Sequence, residues 1–264
     1  MTAVQEDLRT VVVGGVHATV VGAGLPVTLL AHGIGGSVAE TRPLATRLGG
    51  TRVLMEFRGH GRSDALPGGW DYDVLADDVR AVADATAATQ AVGLSLGSGA
   101  LLRLLADDPD RFARLAFVLP AAIDSTRADG ATLRLQRLGA AIDRGDVDAV
   151  VGLLLDEVPD AVRARRGTAL LLRRRALSLL DRPSPQPLHD DRPLHDRAVL
   201  SRVTAPALVV AQFDDPLHRI DVARELTAAL PCARLLTLPA GGVFWTAARS
   251  VQTALAEHLT EEDA

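Results

Sequence analysis

No lysine occurs in the 264 residues, so all 28 basic side chains are arginine. A guanidinium stays protonated at any ordinary pH, which excludes a lysine base and Schiff-base chemistry. Cysteine occurs once, at Cys232, and an internal disulfide is therefore impossible. Lying between an expected helix and an expected strand, Cys232 reads as a small buried side chain rather than a nucleophile. Charge of one sign is not concentrated: the formal net charge is -5, and no long block of like charges occurs. Nucleic acid would need a basic face, and none is supplied. The tract Arg163 to Arg175 is interleaved with Ala and Leu. It reads as the solvated side of a helix rather than a site for an acidic partner. No apolar run is long enough to span a bilayer. Met1 to Arg9 is polar with early acidic residues, unlike a signal peptide. A soluble, cytoplasmic protein without membrane contact is the expectation.

What is present is ample apolar material, 48% of the chain, enough for a full-sized core. Thr10–Val13 and His17–Val21, separated by Gly14-Gly15, predict a hairpin. Val27–Ala31, Arg52–Phe57, Gln90–Leu94 and Leu115–Leu119 are short apolar runs of the kind buried on both faces of a parallel sheet. Helices are predicted between them at Thr41–Leu48, Asp71–Thr86 and Leu96–Ala106. The alternation stops after Pro120. Three helices are expected next, over Thr132–Arg144, Asp146–Val158 and Asp160–Leu180, followed by a Pro-rich stretch to Pro193. Strand Ala207–Gln212, helix Asp221–Leu230, strand Ala233–Leu238 and helix Phe244–Leu259 complete the chain. The fold class expected is α/β, a mostly parallel doubly wound sheet, with residues 1–120 and 200–264 forming the core domain and 121–199 a helical cap insert.

Gly93-Leu94-Ser95-Leu96-Gly97 falls between a predicted strand and a predicted helix. In that context the pattern is a nucleophile elbow: only small residues fit beside the turn, and the Ser95 hydroxyl is raised at a helix N-terminus. The Leu96 N–H then points at a developing oxyanion. His32-Gly33-Ile34-Gly35-Gly36 follows another strand, and the Ile34 N–H is the expected second donor. The His32 ring is expected to brace that loop from below rather than to act as a base.

The ordered set H-G-x-G-G, F-R-G-H-G-R-S, A-D-D-V and G-L-S-L-G resembles the α/β-hydrolase superfamily, in its small bacterial esterase-like branch. The resemblance covers nearly the whole chain outside the cap. One departure is Glu56, where the family run usually begins with Asp. The resemblance implies that Asp215, directly before Pro216, is the triad acid, with Asp214 the alternative. Both are also suited to capping the helix that follows. It further implies a catalytic His in the loop after the last strand. That loop reads Leu238-Pro239-Ala240-Gly241-Gly242-Val243, and Val243 stands where the His is expected. A valine cannot take a proton, so the triad reads as incomplete unless another His serves. His218, three residues past Asp215 and at the correct sheet edge, is the best substitute, although it also reads as a helix-start residue packing on its loop. His189 and His195 are placed to overhang the pocket, while His17, His60 and His258 are not expected to serve, the last being expected on the surface.

With aromatics only 3% of the chain, the placing of Phe57, Trp70 and Trp245 near strand ends suggests an apolar pocket, with His32 beside it. Phe213 and Phe244 are expected in the core. Neither motif calls for a metal or cofactor. The expected partner is a small molecule, and the oligomeric state is left open. Two functions remain open at this point. One is a serine hydrolase of an ester, thioester or lactone of a small, largely apolar substrate. The other is a non-hydrolytic pocket protein on the same fold, either a ligand binder or a cyclase- or lyase-type enzyme.

Overall fold

The computed structural model describes residues 8–66, 69–126, 129–181 and 192–260. Short apolar runs form its strands: β1 (Leu8–Val13), β2 (Val16–Val21), β3 (Val27–Ala31), β4 (Thr51–Glu56), β5 (Gln90–Leu94), β6 (Arg114–Val118), β7 (Ala207–Gln212) and β8 (Ala233–Leu238). They make one sheet in the order β1-β2-β4-β3-β5-β6-β7-β8. β2 pairs antiparallel with both β1 and β4, and every later pairing is parallel. Strand order reverses around β3 and β5, so the loops after those two strands open onto one crevice at the carboxyl edge.

Successive residues along a strand face opposite sides of the sheet, and each side is covered by its own helices. Leu115 and Phe117 of β6 belong to one apolar cluster and Ala116 and Val118 to another. The first cluster takes α2 (Tyr72–Thr86), α3 (Leu96–Asp107) and α8 (Ile220–Ala229); the second takes α1 (Val38–Ala45) and α9 (Ala248–Thr260). Helix starts follow capping chemistry: the Asp71 carboxylate accepts from the Val74 N–H at 2.7 Å, satisfying a donor that has no partner within α2.

Among the described residues between β6 and β7 are four α-helices: α4 (Asp129–Asp143), α5 (Val147–Leu155), α6 (Asp160–Arg163) and α7 (Thr168–Leu180). The single helix expected over 160–180 is broken at Arg165 to Gly167, where glycine lowers helix propensity. These helices share a small core of Val150, Leu154, Leu172 and Ala176, against which Trp245 packs. The two ends of the segment are clasped together. Leu194 N–H donates to the Ile123 carbonyl at 2.9 Å, and Arg197 Nε donates to the Asp124 carboxylate at 2.8 Å. The Arg197 contact holds the Asp124 carboxyl below its ordinary range. No described helix is long and apolar enough to cross a membrane.

Three burial expectations need correcting. Cys232 is exposed rather than buried: it lies in the turn between α8 and β8, where its carbonyl accepts the Ala207 N–H at 2.9 Å. Phe213 and Phe244 are 46% and 36% exposed rather than core, since both lie on loops at the carboxyl edge. His258 is buried rather than on the surface: α9 lies against β6, and the His258 ring is 2.9 Å from the Leu115 carbonyl.

Candidate active site

The elbow is set by the lack of side chains around it. Ser95 has φ 50° and ψ -103°, a sparsely populated conformation for a residue with a Cβ. A Cβ on Gly93 would lie 2.6 Å from the Gly97 carbonyl carbon, and one on Gly97 would lie 2.8 Å from that of Ala31. Helix and strand therefore approach as closely as two backbones allow. Gly97→Ala is expected to destabilise the fold by about 1–3 kcal/mol, the usual cost of overpacking. A urea-melt midpoint equal to that of the parent chain would refute this tight fit.

The hydrogen-bonding around the Ser95 hydroxyl is continuous. His218 Nε2 lies 2.9 Å from Ser95 Oγ, and His218 Nδ1 lies 3.1 Å from Asp215 Oδ2. A carboxylate only accepts, so the proton belongs on Nδ1 and Nε2 is left to accept the Ser95 O–H. Asp215 Oδ1 accepts the backbone N–H groups of Leu217 at 2.9 Å and His218 at 3.0 Å. The turn Asp215-Pro216-Leu217-His218 thus folds on its own carboxylate. Burial pushes the Asp215 carboxyl up, but the contact with His218, aided by the Leu217 N–H and the Gln212 amide, outweighs burial and holds it below the ordinary carboxylate range. His218 lies just ahead of α8, with its ring between Ser95 Oγ and Asp215 Oδ2. Asp214, the alternative acid, is exposed at φ 55° and has no place in this chain of contacts.

Val243 sits elsewhere. It is 1% exposed and packs in the apolar cluster with Leu238, Val251 and Leu255. Its backbone N–H donates to Gln212 Oε1 at 3.1 Å. Of the other histidines, His17 is in the hairpin near Glu56, His195 is exposed on the way into β7, and His189 lies outside the described residues.

The loop Gly33 to Gly36 meets the elbow from the other side. A Cβ on Gly33 would lie 3.5 Å from Ser95 Cβ. His32 is fully buried, with Nε2 accepting the Phe57 N–H at 3.1 Å and Nδ1 donating to the Gly33 carbonyl at 2.7 Å. Burial pushes the His32 imidazole down, consistent with its neutral, bracing position. His60 Nε2 accepts the Gly35 N–H at 3.1 Å, and the His60 ring stacks on Trp70 at 4.6 Å. The Gly36 N–H turns back to the Gly33 carbonyl at 3.0 Å. Among the described residues, the N–H groups of Ile34 and Leu96 take no part in these turn and loop hydrogen bonds.

A cavity of about 580 Å³ opens over Ser95. Trp245 lines it, together with Phe244 and with Leu138, Ile142, Leu154, Leu172 and Leu179 of the helices between β6 and β7. His32, Phe57 and Trp70 do not line it. Phe57 is fully buried beneath the loop, with its ring 5.1 Å edge-on from that of His32, and Trp70 backs His60. The aromatic clustering seen in the sequence thus belongs mainly to loop support. Arg175 of α7 and Glu40 of α1 form an ion pair across the cavity wall beside the glycine loop.

Residues 26–244 match the family described as alpha/beta hydrolase fold. The chain belongs to the α/β-hydrolase family. The chain is 33% identical over 236 residues to a protein of Variovorax paradoxus (strain S110) named "Putative carbamate hydrolase RutD", covering 81% of the chain and 83% of that relative. In fold it is similar to the esterase EaEST of Exiguobacterium antarcticum, with TM-score 0.75, 18% identity, and 93% and 96% of the two chains covered. It is also similar to the enol-lactonase of Burkholderia xenovorans LB400, with TM-score 0.75, 20% identity, and 96% and 100% covered.

Two features of the site were hidden from sequence patterns. One is Gln212, whose amide joins Asp215 to Val243. Its only signal is position, at the end of the strand that delivers the acid. The other is the Arg175–Glu40 pair, which joins residues far apart in the chain.

Proposed function

We propose that this α/β-hydrolase is a serine hydrolase of small neutral esters, thioesters or lactones, with Ser95 as nucleophile, His218 as base and Asp215 as its orienting acid. The observation that carries this reading is the 2.9 Å contact between His218 Nε2 and Ser95 Oγ, with Asp215 at the other ring nitrogen. His218 takes the hydroxyl proton as Ser95 Oγ attacks the carbonyl carbon, and the Asp215 carboxylate steadies the imidazolium that forms. The Ile34 and Leu96 N–H groups receive the oxyanion. His218 returns the proton to the departing alcohol or thiol oxygen or sulfur, leaving an acyl-Ser95 ester. Water, deprotonated by the same imidazole, then releases the acid and restores Ser95. In a lactone the leaving oxygen stays tethered to the acyl group, and the product is a hydroxy acid.

The helices between β6 and β7 act as a cap that shapes the acyl pocket with leucine and isoleucine side chains. Charge argues for neutral substrates. Arg175 is already paired with Glu40 and Glu157 with Arg134, while Asp156, Asp181 and Asp214 also face the cavity. An added carboxylate would meet like charges in a partly dry site. The similarity to the Variovorax protein extends the panel worth assaying to carbamates.

The test is labelling with a fluorophosphonate and hydrolysis of p-nitrophenyl esters of graded acyl length. One label per chain, on Ser95, and turnover that vanishes in Ser95→Ala are expected. Succinyl half-esters should react more slowly than butyryl esters of similar length. A chain that neither labels nor turns over any ester would instead support the non-hydrolytic pocket reading.

A further inference from the structure

Gln212 is the last residue of β7, and its backbone is fixed opposite Leu238 in the parallel pairing with β8. Its side chain makes two hydrogen bonds: Nε2 donates to Asp215 Oδ2 at 2.7 Å, and Oε1 accepts the Val243 N–H at 3.1 Å. The amide can be oriented in only one way, because the carboxylate can only accept and the peptide N–H can only donate. We infer that Gln212 is a positioning residue that fixes the Asp215 carboxylate for a base housed in the acid's own turn. The inference rests on the proposed reading of His218 as the base.

The need for such a residue comes from how short that turn is. Only two residues separate Asp215 from His218, and both of the turn's own N–H donors go to Oδ1. Oδ2 faces His218 Nδ1 at 3.1 Å and is left without any donor from the turn besides that ring. Rotation about the carboxylate bond would swing Oδ2 away from the imidazole. Gln212, coming from the rigid strand, supplies the fixed donor that opposes this rotation. Its other end reaches the Val243 N–H, so one side chain joins the acid to the loop where the family resemblance implies a histidine. That loop carries the cavity-lining Phe244 and Trp245. Gln212 therefore also ties the substrate wall to the acid.

A plain loop tie and a positioning residue predict different behaviour. Gln212→Glu keeps an acceptor for the Val243 N–H but, once ionised, has no proton to donate to Asp215. Gln212→Met loses both bonds. For p-nitrophenyl butyrate at pH 8 we expect kcat to fall about tenfold in each, a fraction of the usual general acid–base contribution. KM should stay within twofold. In Gln212→Glu the deficit should shrink at lower pH, where a proton shared between the two carboxylates restores the donor. A tie alone predicts a parent-like kcat and pH profile for Gln212→Glu, and that result overturns the inference even if Gln212→Met fails to fold. His218→Ala, assayed in parallel, separates the two layers. If it retains parental turnover, the base assignment has failed. If it is inactive while Gln212→Glu matches the parent chain at every pH, only the role of Gln212 has failed.

Discussion

His218→Ala is expected to lower turnover of an activated aryl ester by about 10⁴- to 10⁶-fold, a range that spans the losses seen when single members of a serine protease triad are removed. Fluorophosphonate labelling of Ser95 should slow comparably, because both reactions need the hydroxyl proton withdrawn. His218 sits 2.9 Å from Ser95 Oγ. In Ala no group at that position can accept the proton. The fold should survive the change: the His218 side chain, though only 13% exposed, faces the cavity rather than the apolar core, and the Asp215 caps on the backbone N–H groups of residues 217 and 218 do not depend on the ring. The thermal midpoint is therefore expected to stay within a few degrees of the parent, by the usual scaling for a change outside the packed core. A variant that still labelled at the parental rate would place the base elsewhere and remove the central step of the proposed mechanism.

The fold was legible in the sequence because it rests on local rules that tertiary packing does not overturn. β3, β5 and β7 have the bounds that their apolar runs suggest, since parallel strands buried on both faces are continuously apolar, while β8, at the sheet edge, matches in bounds without that burial. Helices with one apolar stripe were harder to bound. The stretch 160–180 breaks near Gly167, and the last helix begins at Ala248 after a wide turn over Gly242–Thr246. Burial of single residues was least legible. His258 shows a helical surface pattern, yet it packs on β6 and finds the Leu115 carbonyl, a contact made across 143 positions of chain. The site divided along the same line. Gly93 and Gly97 announce themselves because only glycine fits where backbones touch. The position of the imidazole relative to Ser95 depends on how the β7 loop turns, and the spacing D-x-x-H was the one local hint of it.

Val243→His, which by family resemblance would supply a histidine after β8, is expected to harm the protein rather than help it. The Val243 side chain is 1% exposed among Leu238, Val251 and Leu255 and does not line the cavity. An imidazole is larger than the isopropyl group it would replace, and overpacking of a tight core costs about 1–3 kcal/mol. Its ring nitrogens would also lose water without gaining partners, a further ~1–3 kcal/mol. The urea midpoint should fall accordingly with little change in slope. Escape toward the site is blocked, because the space beside Asp215 Oδ2 is filled by the Gln212 amide, itself hydrogen-bonded to the backbone of residue 243. The decisive comparison is the double variant Val243→His, His218→Ala. It should be as slow as His218→Ala alone. If it recovered more than tenfold in ester turnover, residue 243 could reach Ser95 after all. The packing around Val243 would then be soft, and the separation of the β8 loop from the proton path would not hold.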